Sequence, residues 1–293
     1  MRQRSLPAGL LLAMMLSFAA PRAHAKPPAL EVTLEGRVGQ STAPYFTRAF
    51  PETSGYGGIL LAAARYRFSD RLQLGLRAPL VLMRVEQPAG ALYAEAAWAN
   101  PEIDATFEQP WLQRDGWRLS LETRLAIGAP VAEHDSAHLS QRALRLADAL
   151  EGFSEPALYT PGALPVTPAG RLVLQSPRWK LAALFALPLL FRVSNANLPE
   201  DSEARSVAFV PVFGLDARLR CLPWLSVGVA PRLTALARPP AEDHAPSLQL
   251  LAAGHVDFDL GQHLALSALL QAPLGGALGG TTVAGGLQLR ASF

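Results

Sequence analysis

The sequence predicts an all-β chain, an antiparallel up-and-down transmembrane β-barrel of about 12 strands with one short helix in a long loop. Three observations predict it: an export pattern at the N-terminus, apolar and polar residues alternating with a period of two, and connections that alternate between short and long. Composition agrees. Hydrophobic residues make up 50% of the 293 and charged residues only 17%, which excludes disorder over most of the length. Beyond the N-terminal segment no apolar run reaches the roughly 18 residues of a spanning helix, which excludes a helical membrane protein.

Arg2 and Arg4 precede the apolar stretch from Leu10 to Ala20, and Ala23-His24-Ala25 supplies the small-x-small pattern that signal peptidase reads. Residues 1–25 are therefore expected to be a signal peptide and residues 26–293 the barrel. No cysteine stands at Lys26 to take a lipid anchor. Loss of Arg2, Arg4 and Arg22 brings the 26 basic residues below the 24 acidic ones, so no nucleic-acid partner is expected. Cys221 is the one cysteine, which forbids an internal disulfide and a thiolate metal cluster.

The first strand shows the pattern most plainly. Leu30, Val32, Leu34, Gly36 and Val38 alternate with Glu31, Thr33, Glu35 and Arg37, so one face is apolar and the other ionic. Leu72, Leu74, Leu76, Ala78, Leu80 and Leu82 repeat it. The strands are read at 29–39, 57–68, 71–84, 97–109, 116–128, 169–176, 179–192, 205–219, 224–235, 247–260, 262–273 and 281–293. Ser69-Asp70, Pro110 to Asp115, Pro177-Arg178, Arg220 to Pro223 and Gly261 are short connections, and every connection between them is longer. A barrel with both termini on the periplasmic side sorts its loops in this way, whereas a soluble sandwich has no reason to.

Tyr66, Phe68, Phe107, Trp111, Trp117, Trp179, Trp224 and Phe258 all fall near the short turns, as an interfacial girdle requires. The last strand places Leu287, Leu289, Ala291 and Phe293 on one face. It resembles the C-terminal β-signal of outer-membrane proteins, which implies recognition by the barrel-assembly machinery through strand addition, with Phe293 as the anchor.

The longest connection, 129–168, is expected on the extracellular side. It carries a helix over 136–150 with Asp135 as N-cap and Gly152 just past its end. Leu139, Ala143, Leu146 and Leu150 form a stripe that can pack on the barrel rim, fold inward as a constriction or bind a hydrophobic solute, with rim packing the first expectation, and the four prolines of 156–168 mark irregular loop.

Strand by strand, alternation turns Arg37, Arg65, Arg67, Arg77, Glu102, Asp104, Arg118, Glu122, Arg124, Asp216, Arg218, Arg232 and Asp257 toward the lumen. The interior is expected to be ionic and nearly balanced. Such a lining either guides a small solute or pairs across a narrow lumen to close it. No catalytic constellation, cofactor motif or metal-ligand spacing stands out. His255 and Asp257 are inward neighbours, His263 and Ser267 share the next strand, and His134, His138 and His244 sit in loops beside acids.

Two stretches are similar to one group of barrels. Residues 66–80 run from Tyr66-Arg67-Phe68 through Ser69-Asp70 to Arg77-Ala78-Pro79-Leu80, a strand, short turn, strand and proline. Asn100-Pro101-Glu102-Ile103-Asp104-Ala105-Thr106-Phe107 is followed by Leu125-Ala126-Ile127-Gly128-Ala129-Pro130, with Ala99-Asn100 where the group usually has Gly-Asp. These resemble the phenol-degradation (MetA-pathway) outer-membrane protein family, which implies a transporter-like barrel and supplies no catalytic residues. The expectation is a non-enzymatic channel or transporter in the bacterial outer membrane for a small hydrophobic solute. Its partners would be membrane lipid, the assembly machinery and that solute. A non-conducting structural or adhesive barrel and a membrane-embedded lipid hydrolase are the alternatives.

Overall fold

The computed structural model describes residues 29–42, 54–86, 92–114, 116–132, 139–193, 207–235, 248–261, 263–276 and 278–293. In chain order the elements are β1 (Leu30–Ser41), β2 (Ser54–Arg67), β3 (Leu72–Glu86), β4 (Leu92–Trp98), β5 (Glu102–Arg114), β6 (Trp117–Gly128), α1 (Leu139–Leu150) and α2 (Pro156–Tyr159). There follow β7 (Ala163–Gln175), β8 (Trp179–Ala186), β9 (Leu189–Arg192), β10 (Val207–Phe209), β11 (Val212–Leu222), β12 (Leu225–Val229), β13 (Arg232–Ala235), β14 (Leu248–Asp259), β15 (Leu264–Gly275) and β16 (Thr282–Ser292).

These segments make twelve barrel strands, because four strands are cut in two by a proline. Pro101 separates β4 from β5, Pro188 separates β8 from β9, Pro211 separates β10 from β11, and Pro231 separates β12 from β13. Proline has no N–H to give to the ladder, yet its carbonyl still accepts. The flanking residues carry the strand across: Leu187 donates to Pro168 at 3.0 Å, and Ala230 to Ala253 at 2.7 Å.

Every strand pairs antiparallel with its sequence neighbours, and β1 pairs with β16 from Glu31↔Ser292 to Ser41↔Thr282. Leu30 donates to Phe293 at 3.1 Å and Phe293 to Leu30 at 2.8 Å, which closes the ring. Closure leaves no unpaired edge, the condition for a strand to stand in hydrocarbon. The side-chain period of two then sorts the faces. Val38, Leu76, Leu82, Ile103, Leu215, Val229, Leu270 and Leu287 stand exposed outside, while Glu35, Glu102, Asp104, Ser120, Thr167, Asp216, Gln249 and Gln271 are buried inside. So continuous an apolar exterior suits lipid and not water.

An aromatic girdle surrounds the end with the short turns. Tyr66 packs on Phe68 at 6.4 Å, Trp117 on Trp179 at 4.7 Å and Trp224 on Phe258 at 6.3 Å between ring centroids.

Several expected boundaries shift. Strand four begins at Leu92, and β5 continues past Pro110 to Arg114 through a bulge between Pro110 and Leu112. The turn contracts to the neighbourhood of Gly116, whose φ of +81° suits glycine. A second bulge between Arg220 and Leu222 lets β11 run to Leu222. The stretch expected as irregular loop over 156–168 instead holds α2 and the start of β7. Pro165 and Pro168 fit because each costs the ladder only one donor, and Pro168 still accepts from Leu187. The expected cap Asp135, the first turn from Ser136 and the signal peptide lie outside the described residues.

The largest departure concerns α1. It does not lie on the rim; it sits against the inner wall formed by β1, β2, β3, β4 and β16. Ala143, Leu144, Leu146, Ala147 and Leu150 join the inward residues Ile59, Val81, Met83, Ala97, Ala99 and Ala284 in one buried cluster. Glycine makes the approach possible. A methyl group at Gly39 would meet Leu150 Cδ2 at 2.6 Å, and one at Gly57 would meet Leu146 Cδ2 at 2.5 Å. Leu144, Ala147 and Ala149 are as buried as Ala143, Leu146 and Leu150, so this part of the helix is enclosed on most sides.

Candidate permeation site

The inserted segment divides the lumen. Toward the short turns lies a cavity of about 640 Å³, and beside the plug against β14, β15 and β16 lies a smaller one of about 230 Å³.

The walls are tied by ion pairs that run from strand to strand. Arg77 reaches Glu102 at 2.7 Å and Glu155 of the plug at 3.1 Å. Arg124 pairs with the same Glu102 and with Asp104 at 3.3 Å. Arg118 meets Glu108 at 2.5 Å nearer the mouth. Arg171 bridges Glu122 at 3.4 Å and Asp216 at 3.3 Å, and Arg218 holds Asp216 at 3.1 Å and Asp257 at 3.0 Å. Arg37 pairs with Glu35 on its own strand and with Glu151 of the plug. Arg232 instead donates to the carbonyl oxygens of Leu215 at 2.7 Å and Pro231 at 3.2 Å.

Of the thirteen residues that alternation turns inward, ten belong to four separate ion-paired groups among the described residues, and Arg65, Arg67 and Arg232 line the cavities outside them. Arg65 and Arg67 line the large cavity and form no ion pair among the described residues. Arg171, Lys180, Arg71, Glu151 and Glu155 belong to the lining as well. The strand alternation of β7 and β8 points to Arg171 and Lys180, but Glu151 and Glu155 lie in the loop and carry no periodic signal.

The expected charge balance does not hold locally. Ten basic side chains face five acidic ones around the large cavity, whereas the small one has three arginines against five carboxylates. Arg65, Arg67, Arg71, Lys180 and Arg290 contribute the basic excess without a carboxylate partner among the described residues. The lumen is charged by compartment.

The plug is held by a buried clamp as well as by charge. Asn100, fully buried where β4 gives way to β5, donates from Nδ2 to the carbonyls of Ala157 at 3.2 Å and Thr160 at 2.8 Å. Its Oδ1 accepts from the Ala132 amide at 2.9 Å, and its own amide donates to Leu158 at 2.8 Å. Gln271 donates to the last helical carbonyl, Leu150, and Gly152 turns the chain at φ +61° against Leu251.

Burial pushes the Asp148 carboxyl up to about 8, helped by the neighbouring Glu151. One oxygen of Asp148 is buried without a partner. Burial likewise raises Glu151 to about 7, with Arg37 opposing and Glu35 adding to the rise. Burial also disfavours charge on Glu155, but Arg77 and Arg124 outweigh it and hold that carboxyl below its ordinary value. The plug therefore carries two ionic latches, Glu155 to Arg77 and Glu151 to Arg37, and two carboxyls, Asp148 and Glu151, that burial holds above their ordinary range.

Of the residues considered for chemistry, His255, Asp257 and Ser267 line the small cavity together, with His255 Nε2 3.7 Å from Asp257 Oδ2. Ser267 pairs in register with Asp257, while His263 contacts the carbonyl of Ser292 at 3.0 Å at the turn end. Cys221 is exposed. His134, His138 and His244 lie outside the described residues.

No protein-family model matches the sequence, and no curated protein does. Solved structures do. A COG4313 outer membrane channel from Pseudomonas putida F1 superposes with a TM-score of 0.61 over 94% of this chain and 97% of that one, at 14% identity. The fold is that of an outer-membrane β-barrel. The NanC porin gives a TM-score of 0.50 at 7% identity over 89% and 98% of the two chains. The transport unit of the autotransporter AIDA-I from Escherichia coli gives 0.50 at 10% identity over 97% of each.

Proposed function

We propose that this barrel is a passive channel of the bacterial outer membrane for small anionic solutes, with the described plug of α1 and α2 as an internal gate. The observation that carries the reading is a closed barrel whose cavity at the turn end is lined by a twofold excess of basic side chains, beneath a helix docked inside the wall. Fixed charge of one sign in a low-dielectric lumen concentrates counter-charged solutes and repels the others. A purely hydrophobic solute would find little apolar surface in this cavity.

The same proposal includes the cleaved signal peptide, periplasmic short turns and insertion by the assembly machinery through β16. Phe293, 75% exposed on the outer face, would be the anchor. The likeness of residues 66–80 and 100–107 to the phenol-degradation family supports a transporter. The ion-paired plug favours a barrel that is closed at rest, which keeps a non-conducting structural role as the competing reading.

Liposome swelling separates the two. Small carboxylates should enter faster than neutral sugars of equal size, and more so when the plug is loosened. Absence of flux for every solute in both forms would favour the structural role.

A further inference from the structure

The outward face of β1, β2, β3 and β16 holds a feature that conduction does not require. At the loop end the register aligns Val283, Gln40, Tyr56 and Arg84 in one row, and Gly285, Val38, Gly58 and Leu82 in the row beneath. The two glycines leave Val38 standing alone, 69% exposed, beside an apolar groove of about 610 Å³. Arg84 closes the upper end. It is exposed and has no carboxylate partner among the described residues.

We propose that this face binds a phosphate-bearing membrane lipid, with Arg84 and Tyr56 at the headgroup and one acyl chain lying over Gly58 and Gly285. The proposal rests on the outer-membrane reading, which keeps this face in lipid. Charge complementarity selects the occupant. A guanidinium offers paired donors to phosphate oxygens, and the floor below it is hydrocarbon, the same order in which a lipid presents headgroup and chain. The groove is also backed by the plug. On the inner face of this wall Gly39 and Gly57 receive Leu150 and Leu146, so lipid and helix would lie on opposite sides of one sheet.

Native mass spectrometry of the purified full barrel tests the site, with phosphatidylglycerol and a diacylglycerol of the same chains as probes. One phosphatidylglycerol should survive detergent removal, and the diacylglycerol should not. Arg84→Gln should lower retention about tenfold, the worth of one charge-assisted contact. Gly285→Leu should abolish it by filling the groove. A Cβ at Gly285 meets only the Leu269 carbonyl at 3.6 Å, so the variant should fold. Equal retention by all variants, or retention of diacylglycerol to the same extent, would overturn the proposal. Heat-modifiable mobility keeps the outcomes distinct: a barrel that shows it and holds no lipid refutes this site alone, whereas recovery as a soluble protein refutes the membrane reading.

Discussion

Replacing Asn100 by alanine should release the plug while leaving the barrel closed. The Asn100 side chain makes three hydrogen bonds to the inserted segment, at 3.2, 2.8 and 2.9 Å, and the residue is fully buried. A neutral hydrogen bond is worth about 1 kcal/mol net, and a buried group left without its partner costs somewhat more. Together the three account for about 3 kcal/mol of docking free energy. Amide exchange over α1 and α2 reports local opening, so protection there should fall by at least about a hundredfold. Amides of β1 and β16 should keep theirs, because the ladder from Glu31↔Ser292 to Ser41↔Thr282 makes no use of Asn100. Unchanged protection in α1 would refute the clamp, and equal loss in β1 and β16 would show that plug and barrel unfold as one unit.

The plug should loosen as pH rises. Asp148 and Glu151 have docked values of about 8 and about 7, above their ordinary carboxylate range, so the docked state binds more protons and docking weakens from about pH 4 to pH 8. The protection factor of α1, corrected for the intrinsic base-catalysed rise in exchange, should fall across that window, and Asp148→Asn should flatten the response; protection that grows with pH would contradict the assignment. Deleting Phe293 should impair assembly more than Ser292→Ala, since Phe293 faces outward and Ser292 borders the cavity. Equal yields of heat-modifiable barrel would show that the terminal residue carries no signal. Arg65→Glu with Arg67→Glu should shift the reversal potential in a salt gradient toward cations, because both line the cavity without ion-pair partners among the described residues. An unmoved potential would place selectivity elsewhere.

The barrel was legible because alternation is a local property. Leu30, Val32 and Leu34 against Glu31, Thr33 and Glu35 fix a face without knowledge of any neighbour, and loop sorting then separates a membrane barrel from a sandwich. The breaks at Pro188, Pro211 and Pro231 leave that pattern intact. At Pro101 the inward parity changes from Ala97 and Ala99 to Glu102 and Asp104, and nothing local announces the shift. The plug was hidden for a different reason. Ala143, Leu146 and Leu150 would bury equally well on a rim, and the decision is made by Gly39 and Gly57, which sit in other strands and read by themselves as weak strand formers. Compartmental charge was illegible too, because it depends on the depth at which each strand crosses the lumen and on Glu151 and Glu155 arriving from the loop.

Planar-bilayer conductance of the wild type against a chain lacking 139–150, in asymmetric potassium chloride, tests the gated anion channel most directly. The strands close their ladder without the helix, so both proteins should insert as folded barrels. The account predicts a small wild-type conductance that rises several-fold on deletion, with a reversal potential on the chloride side in both. No conductance in either folded barrel, or a rise that favours potassium, would contradict it.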